Sequence, residues 1–316
     1  ARPSRARRVT RAGAAVALAA VAVPVVARAT GFEAGPVAIL VALMPWVTVA
    51  ALLTVLLAGL ARAPWVLGAS AAVAALCVAW QVPLFVAEPS PQDGDQLTVA
   101  SVNMTFGGAD AEEVVHLVRE HQVDVLAVQE LTPEAVRALG AAGLDDLLPH
   151  SEVHAEPGFT GGAVWSRLPL TGGRAYDGLT STTVLVEVEA AFGPLAVVAP
   201  HPAAPGPVDH EGWSRDLRAL GGIVDGIDGP LLVLGDLNAT RDHRAYRDLE
   251  HAGLVNAATQ AGAGLKPTFP EGRLPIPVVA IDHAMVRDAP LIAVQVHAVP
   301  VAGADHRALV ATYAYQ

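Results

Sequence analysis

The chain has 316 residues, 53% of them hydrophobic, with 20 basic and 31 acidic side chains and a single cysteine, Cys77. One cysteine excludes an internal disulfide and a cysteine-built zinc site. The charge is divided sharply: residues 1–88 hold seven arginines against two acids, net +5, and residues 89–316 hold 13 basic against 29 acidic residues, net −16, which disfavours a long polyanion as ligand of the second part.

Three uncharged stretches come first, residues 12–27, 34–61 and 63–87. A bilayer-spanning helix takes ~20 apolar residues. The second and third stretches meet that length; the first is shorter, alanine-rich and contains Pro24. The arginines within residues 1–11 mark a cytoplasmic N-terminus. About three transmembrane helices over 12–87 then place everything after Glu88 outside the cytoplasm. If the first stretch is instead a signal peptide cleaved near Ala27-Arg28-Ala29, two crossings remain and the placement is unchanged. "EPSPQDGDQ", residues 88–96, reads as a linker, rich in proline and charge and without periodicity.

Residues 97–316 alternate between strand and helix patterns. "LTVASVN" reads as a strand. "DAEEVVHLVREH" reads as an amphipathic helix capped by Asp110. "VDVLAVQE" is a strand, and "TPEAVRALG" a helix with Thr132 as cap and Pro133 at its first position. Strands are expected at "GGAVWSR", "TTVLVEVEA" and "PLAVVAPH", then a helix from near His210 to Ile227 and a strand at "PLLVLGD". A helix at "RDHRAYRDLEHAG" and strands at "VVAIDHAMV", "AVQVHAV" and "RALVATYAY" complete the pattern. Many strands with interspersed helices predict an α/β or α+β layered sandwich.

Polar residues collect where these strands end. Asn103 closes "VASVN", Glu130 follows "LAVQ", and His201 closes "VVAPH". Asp236 and Asn238 close "VLGDLN", Asp282 and His283 sit in "VAIDH", and Asp305 and His306 end "AGADH" before the last strand. Side chains two apart on a strand share a face, so Asp236 and Asn238 are expected to point together; the plainer alternative is an Asx turn that ends the strand. Six such endings fit a cavity lined from the ends of a sheet core. Oxygen donors from Asn103, Glu130 and Asp305 suit a hard cation, Mg²⁺ or Mn²⁺. The sequence has no Gly-x-x-x-x-Gly-Lys loop and no Gly-x-Ser-x-Gly elbow, and its only lysine is Lys266. Metal-assisted attack by water remains, with histidines for proton transfer.

In order, "SVNM", Gln129-Glu130, "GGAVWSR", His201, "GDLN", "IDH" and "ADH" make residues 96–316 resemble the endonuclease/exonuclease/phosphatase superfamily. The resemblance implies a four-layer sandwich of two mixed β-sheets flanked by helices, here preceded by transmembrane helices. It implies hydrolysis of phosphate esters with Mg²⁺ and no covalent intermediate. Glu130 would be the main metal ligand, helped by Asn103 and Asp305. Asp236 would position or deprotonate the attacking water, and Asn238 would hold a phosphoryl oxygen. His306, oriented by Asp282, would be general base or phosphate clamp. His201 would stabilise the transition state or protonate the leaving oxygen.

This chain departs from the usual pattern in reading Pro200-His201-Pro202 and Ala304-Asp305-His306. Neither change removes a catalytic group. Glu152 or Glu156 would be the acid that orients His201. Asp305 and His306 are adjacent, so both can face the site only from an irregular segment. His283 is expected to be structural, Trp165 and Trp213 to be core, and Phe106, Phe159 and Phe269 to wall the cleft. The expected protein is a membrane-anchored phosphoesterase acting on a lipid-linked envelope substrate. A tethered extracellular nuclease is the alternative, and a catalytically dead binding module a third reading that the intact motifs disfavour.

Overall fold

The computed structural model describes residues 5–91, 94–206 and 211–316. The first uncharged stretch, short and interrupted by Pro24 as it is, lies inside one 26-residue helix, α1 (Arg5–Thr30). Pro45 divides the second stretch. Its ring removes a backbone donor and crowds the carbonyl four residues before it, so residues 34–61 fold as α2 (Pro36–Ala42) and α3 (Met44–Leu60), bent by 75°. The third stretch forms α4 (Pro64–Gln81), extended by a 3₁₀ turn at Val82–Phe85. Two helical spans, Arg7–Thr30 and Pro64–Phe85, are long and apolar enough to cross a membrane, and the bent pair makes a third if counted as one.

The chain divides into two compact units, one of residues up to Pro83 together with Gly206 and 241–244, the other of the remaining described residues from Leu84 onward. Inside the first unit Arg28 is buried. Its Nε donates to Asp242 Oδ1 at 2.6 Å, and the guanidinium stacks 3.9 Å over the Trp80 ring.

The second unit begins β1 (Gln96–Asn103), α5 (Ala111–Glu120), β2 (Val125–Gln129), α6 (Pro133–Ala141) and α7 (Leu144–Leu147). There follow β3 (His150–His154), β4 (Gly162–Ser166), β5 (Leu170–Tyr176), β6 (Thr183–Ala190) and β7 (Gly193–Ala199). The chain ends through α8 (Glu211–Asp225), β8 (Leu231–Asp236), α9 (Arg244–His251), β9 (Val255–Asn256), α10 (Ala257–Gln260), β10 (Asp282–Arg287), β11 (Leu291–Pro300) and β12 (Arg307–Tyr315). Asp110 and Thr132 cap α5 and α6 as expected, their side chains accepting from Glu112, Glu113 and Ala135 backbone N–H groups. α8 begins within the expected span; His210 lies outside the described residues.

The strands form two six-stranded sheets, ordered β11-β12-β1-β2-β4-β3 and β5-β6-β7-β8-β10-β9, each mixing parallel and antiparallel pairs. One apolar core joins their inner faces: Val99, Val125 and Val164 of the first sheet pack with Val186, Val197, Leu232, Leu234 and Ala284 of the second. A second core lies between the first sheet and its helices, with Val114, Val118 and Leu139 against Ala100, Val102, Leu126 and Val128. α8 and α9 bury Trp213, Leu217, Leu220, Tyr246 and Leu249. This is the layered sandwich the patterning predicts.

Three edge strands, β3, β5 and β9, have no counterpart in the predicted pattern. β3 reads "HSEVH" and is never fully buried; β5 reads "LTGGRAY", with two glycines and mostly exposed side chains; β9 is two residues long. An edge strand with a solvated face carries no apolar run to betray it.

Candidate active site

The site is the polar end of the core between the sheets. Leu97 and Val99 of β1 face that core, and two steps of two further along the same face stands Asn103. Val125 and Ala127 lead in the same way to Gln129, Leu232 and Leu234 to Asp236, and Val286 and Ala284 to Asp282. Each strand turns from apolar to polar on this face toward one end, where Ser101 also donates to Gln129, so the sheets deliver these groups to one place.

Asp236 and Asp282 lie directly opposite in the antiparallel β8–β10 pair, and both are buried. His306 Nδ1 stands 3.0 Å from Asp282 Oδ2, and its Nε2 3.7 Å from Asp236 Oδ2. Burial opposes a charge on His306, but Asp282, Asp236 and, more weakly, Asp305 override it and push its pKa up to about 10. Burial, and then the charge of Asp282, raises the Asp236 carboxyl. The Phe269 ring packs 4.8 Å from the imidazole.

Glu130 follows the last residue of β2 with φ +54°, a backbone conformation that an L residue holds only when its surroundings over-determine it. Its Oε2 accepts from the Phe106 backbone N–H at 2.8 Å, and its Oε1 from Asn103 Nδ2 at 3.2 Å. Asn103 Nδ2 also reaches Asp236 Oδ2 at 3.1 Å. His201 Nε2 faces Asp236 at 3.6 Å and Glu130 at 3.8 Å. Glu152, expected as a candidate to orient His201, bonds His154 at 2.7 Å.

Asp236 and Asn238 are joined by the Asx turn that the alternative reading anticipates: Asn238 N–H donates to Asp236 Oδ1 at 2.8 Å. Asn238 sits at φ +47°, so strand alternation ends at Asp236. Its Nδ2 donates to the Pro202 carbonyl, which ties this turn to the segment of His201. The turn and the site are one construction. Gly235 makes it possible, because a Cβ there would stand 2.4 Å from the Pro200 carbonyl oxygen.

Residues 301–306 form turns and bends before β12 begins, the irregular segment that adjacent inward side chains require. His306 turns into the cavity. Asp305 is held by Thr105 Oγ1 at 2.7 Å and by Arg273 Nη2 at 2.8 Å. The structure thus brings together Asn103, Glu130, His201, Asp236, Asp282 and His306, with Asn238 at the rim, and links Asp305 to them through Thr105. Thr105 and Arg273 were not legible as site residues, since neither ends a strand. Thr268, whose hydroxyl accepts from the backbone N–H groups of Ile281 and Asp282 where β10 begins, was hidden for the same reason. His283 is structural, bonded to the Ala239 carbonyl and Asn256, and Trp165 and Trp213 are core.

The donor chemistry fits a divalent cation. Asp236, Asp282 and His306 offer three ligand atoms within 4.8 Å of one another, and Glu130 and Asn103 border the same cavity. The buried Asp282 Oδ1 has no partner among the described residues. Three carboxylates around one small volume, one raised by burial and by its neighbour, form a field that a hard cation relieves.

Residues 100–306, about two thirds of the chain, match the sequence pattern of the Endonuclease/Exonuclease/phosphatase family. No curated protein matches the chain. Among solved structures it is similar to an endonuclease/exonuclease/phosphatase from Beutenbergia cavernae, at 20% identity and TM-score 0.55 over 70% of this chain and 72% of that one. It is similar to a humanized D. rerio TDP2, at 14% identity and TM-score 0.58, covering 69% and 98%. It is also similar to the 3′ phosphatase NExo from Neisseria bound to a product DNA hairpin, at 16% identity and TM-score 0.57, covering 68% and 98%. At these identities the structures share the fold; the sequence pattern and the buried acid–histidine cluster carry the rest: the chain belongs to the endonuclease/exonuclease/phosphatase family and is a phosphoester hydrolase of it.

Proposed function

We propose that the protein is a membrane-anchored phosphoesterase, its catalytic unit extracytoplasmic, that hydrolyses a lipid-linked phosphate ester or pyrophosphate. The observation that carries the lipid reading is a set of exposed apolar side chains in the loops next to the acid cluster. Phe106 is 61% exposed and Phe159 42%, their rings packed edge to face at 6.2 Å. The Phe106 N–H is bound to Glu130, so the aromatic pair is fixed beside the acid. Leu274 and Ile276 are also exposed, in the loop whose Arg273 holds Asp305. Exposed apolar side chains rimming a polar cavity suit a substrate with a phosphate head and an apolar body. The apolar helices and the net charge of −16 favour the same class.

In this reading Glu130 and Asn103 would hold Mg²⁺ or Mn²⁺, with Asp305 linked to Asn103 through Thr105. When bound, the cation lowers the pKa of water and offsets charge on the phosphoryl oxygens. Asp236 accepts the proton of the attacking water. Asn238 keeps one amide hydrogen beyond its bond to Pro202 and directs it at a phosphoryl oxygen. Asp282 fixes the His306 ring, whose Nε2–H donates to the developing charge. His201 does the same from the opposite side or protonates the leaving oxygen.

A nuclease is the second reading, favoured by neighbours of this fold solved with DNA products. The test is turnover by the full chain in detergent against polyprenyl pyrophosphate, a phospholipid, a soluble phosphomonoester and plasmid DNA, each with Mg²⁺, Mn²⁺ and EDTA. EDTA-sensitive turnover confined to the lipid substrates is expected. Rapid cleavage of DNA with the lipids untouched would refute the lipid assignment.

A further inference from the structure

At the β11 edge of the first sheet lies a cavity of about 400 Å³ lined by His121, Lys266, His297 and Arg307 and by no acid. These are four cationic or protonatable side chains in a part of the chain that carries −16. The two imidazoles are tilted against each other at 6.0 Å. Among the described residues Lys266 has no ion-pair or hydrogen-bond partner, although it is the only lysine of the protein. Arg307 bonds Glu271 through Nε alone, which leaves its other guanidinium nitrogens for a ligand. Clustered donors of this kind, with Lys266 unpaired among the described residues, complement a phosphate group.

The place of the cavity names the source of that phosphate. Leu265, exposed, adjoins Lys266 in the lining. The preceding residue, Gly264, donates its N–H to the Leu84 carbonyl and lies under the Phe85 ring, where a Cβ would be 3.1 Å from the ring edge. Phe85 ends the apolar span Pro64–Phe85. Gly264 thus joins the segment that lines the cavity to the residues that end that span, and Phe85, Val86 and Leu265 are exposed. Basic groups bordered by apolar side chains at the end of a span are the arrangement that anionic lipid heads select.

We propose that this cavity binds the headgroup phosphate of an anionic phospholipid and so seats the catalytic unit on the membrane. The inference rests on the membrane-anchored reading above, and the two can fail separately. Anchoring is read by whether the full chain stays with membranes after an alkaline carbonate wash. The cavity is read by native mass spectrometry of the full chain in detergent with phosphatidylglycerol, phosphatidylcholine or inorganic phosphate.

Wild-type protein should retain phosphatidylglycerol over phosphatidylcholine. Lys266→Gln with His297→Gln should reduce that retention by at least about fivefold while circular dichroism and EDTA-sensitive turnover of a soluble phosphomonoester stay unchanged. Equal retention of both lipids, or equal retention by the double variant, would overturn the proposal. Binding of inorganic phosphate that the double variant loses, without retention of phosphatidylglycerol, would reassign the cavity to free anions and overturn it as a lipid site.

Discussion

Asp236 and Asp282 stand opposite each other on neighbouring antiparallel strands, both buried, with His306 bonded to the second at 3.0 Å and 3.7 Å from the first. Two buried carboxylates in cross-strand contact repel each other and are costly to ionise. One imidazolium between them removes part of that cost and is itself stabilised as the cation, which is why its pKa reaches about 10. The same arrangement leaves Asp236 as the acid raised toward a proton-accepting range and Asp282 as the one that fixes the ring.

Replacing Asp282 with Asn should therefore cost more in catalysis than in folding. The amide can still meet His306 but no longer supports its charge. A loss of roughly 10²–10⁴ in kcat, with the melting temperature nearly unchanged, is the expected result on a soluble phosphomonoester. Asp282→Asn at wild-type kcat would show that His306 does not work through this pair.

Glu130→Gln addresses the metal. The substitution keeps the shape and removes the charge that the strained φ of +54° brings to the cavity. Mg²⁺ affinity, read by calorimetry on the full chain, should fall by at least about tenfold, and kcat/KM by about 100-fold or more. Unchanged Mg²⁺ affinity would move the ion to Asp236, Asp282 and His306.

The sandwich was legible in the sequence because its inner strands are buried on both faces and read as apolar runs, and the site because those runs end in acids, amides and imidazoles. What alternation could not give was the path of the chain past the strand ends. Glu130 and Asn238 take positive φ, and Asp305 and His306 lie in a turn. The partners of Asp305, namely Thr105 and Arg273, come from loops distant in sequence, and hydrogen bonds of that range leave no periodicity behind. Length and hydropathy alone read residues 34–61 as one span; the 75° break at Pro45 shows only in the fold.

Gly235→Ala probes the construction of the Gly-Asp-Leu-Asn turn. The added methyl meets the Pro200 carbonyl oxygen at 2.4 Å, and backbone on both sides must move. A loss of ~1–3 kcal/mol is expected, seen as a melting temperature lower by several degrees, together with reduced kcat because His201 follows Pro200. A melting temperature equal to wild type would mean that β7 and β8 separate there without cost.

Asp216 should give stability a pH dependence. Burial raises its pKa, but donors from Thr180, Ala203 and Arg215 outweigh that and hold the carboxyl below its usual value. A depressed folded pKa stabilises above the unfolded value near ~3.9 and is lost as pH falls through the folded one. Asp216→Asn should thus lower stability by ~1–3 kcal/mol at pH 7, and the gap to wild type should narrow in melts taken below about pH 4. A gap that stays constant with pH would assign the loss to packing. The Ala203 bond lies two residues from His201, so the same variant should also raise the mobility of that segment.

The apolar rim makes a prediction about binding separate from chemistry. The Phe106 ring packs on Phe159 and is largely exposed. Phe106→Ala keeps the backbone N–H that Glu130 accepts, so the acid stays in place. For a lipid-linked substrate the lost apolar contact should raise KM by roughly three- to tenfold with kcat retained, the signature of binding shared by ground and transition states. For a water-soluble phosphomonoester both constants should stay at wild-type values. An equal rise in KM for both substrates would place Phe106 against the phosphate itself, and a fall in kcat for both would mean that the ring, through Phe159, supports the loop that follows Asn103. Only the split between the two substrates ties the rim to an apolar substrate body.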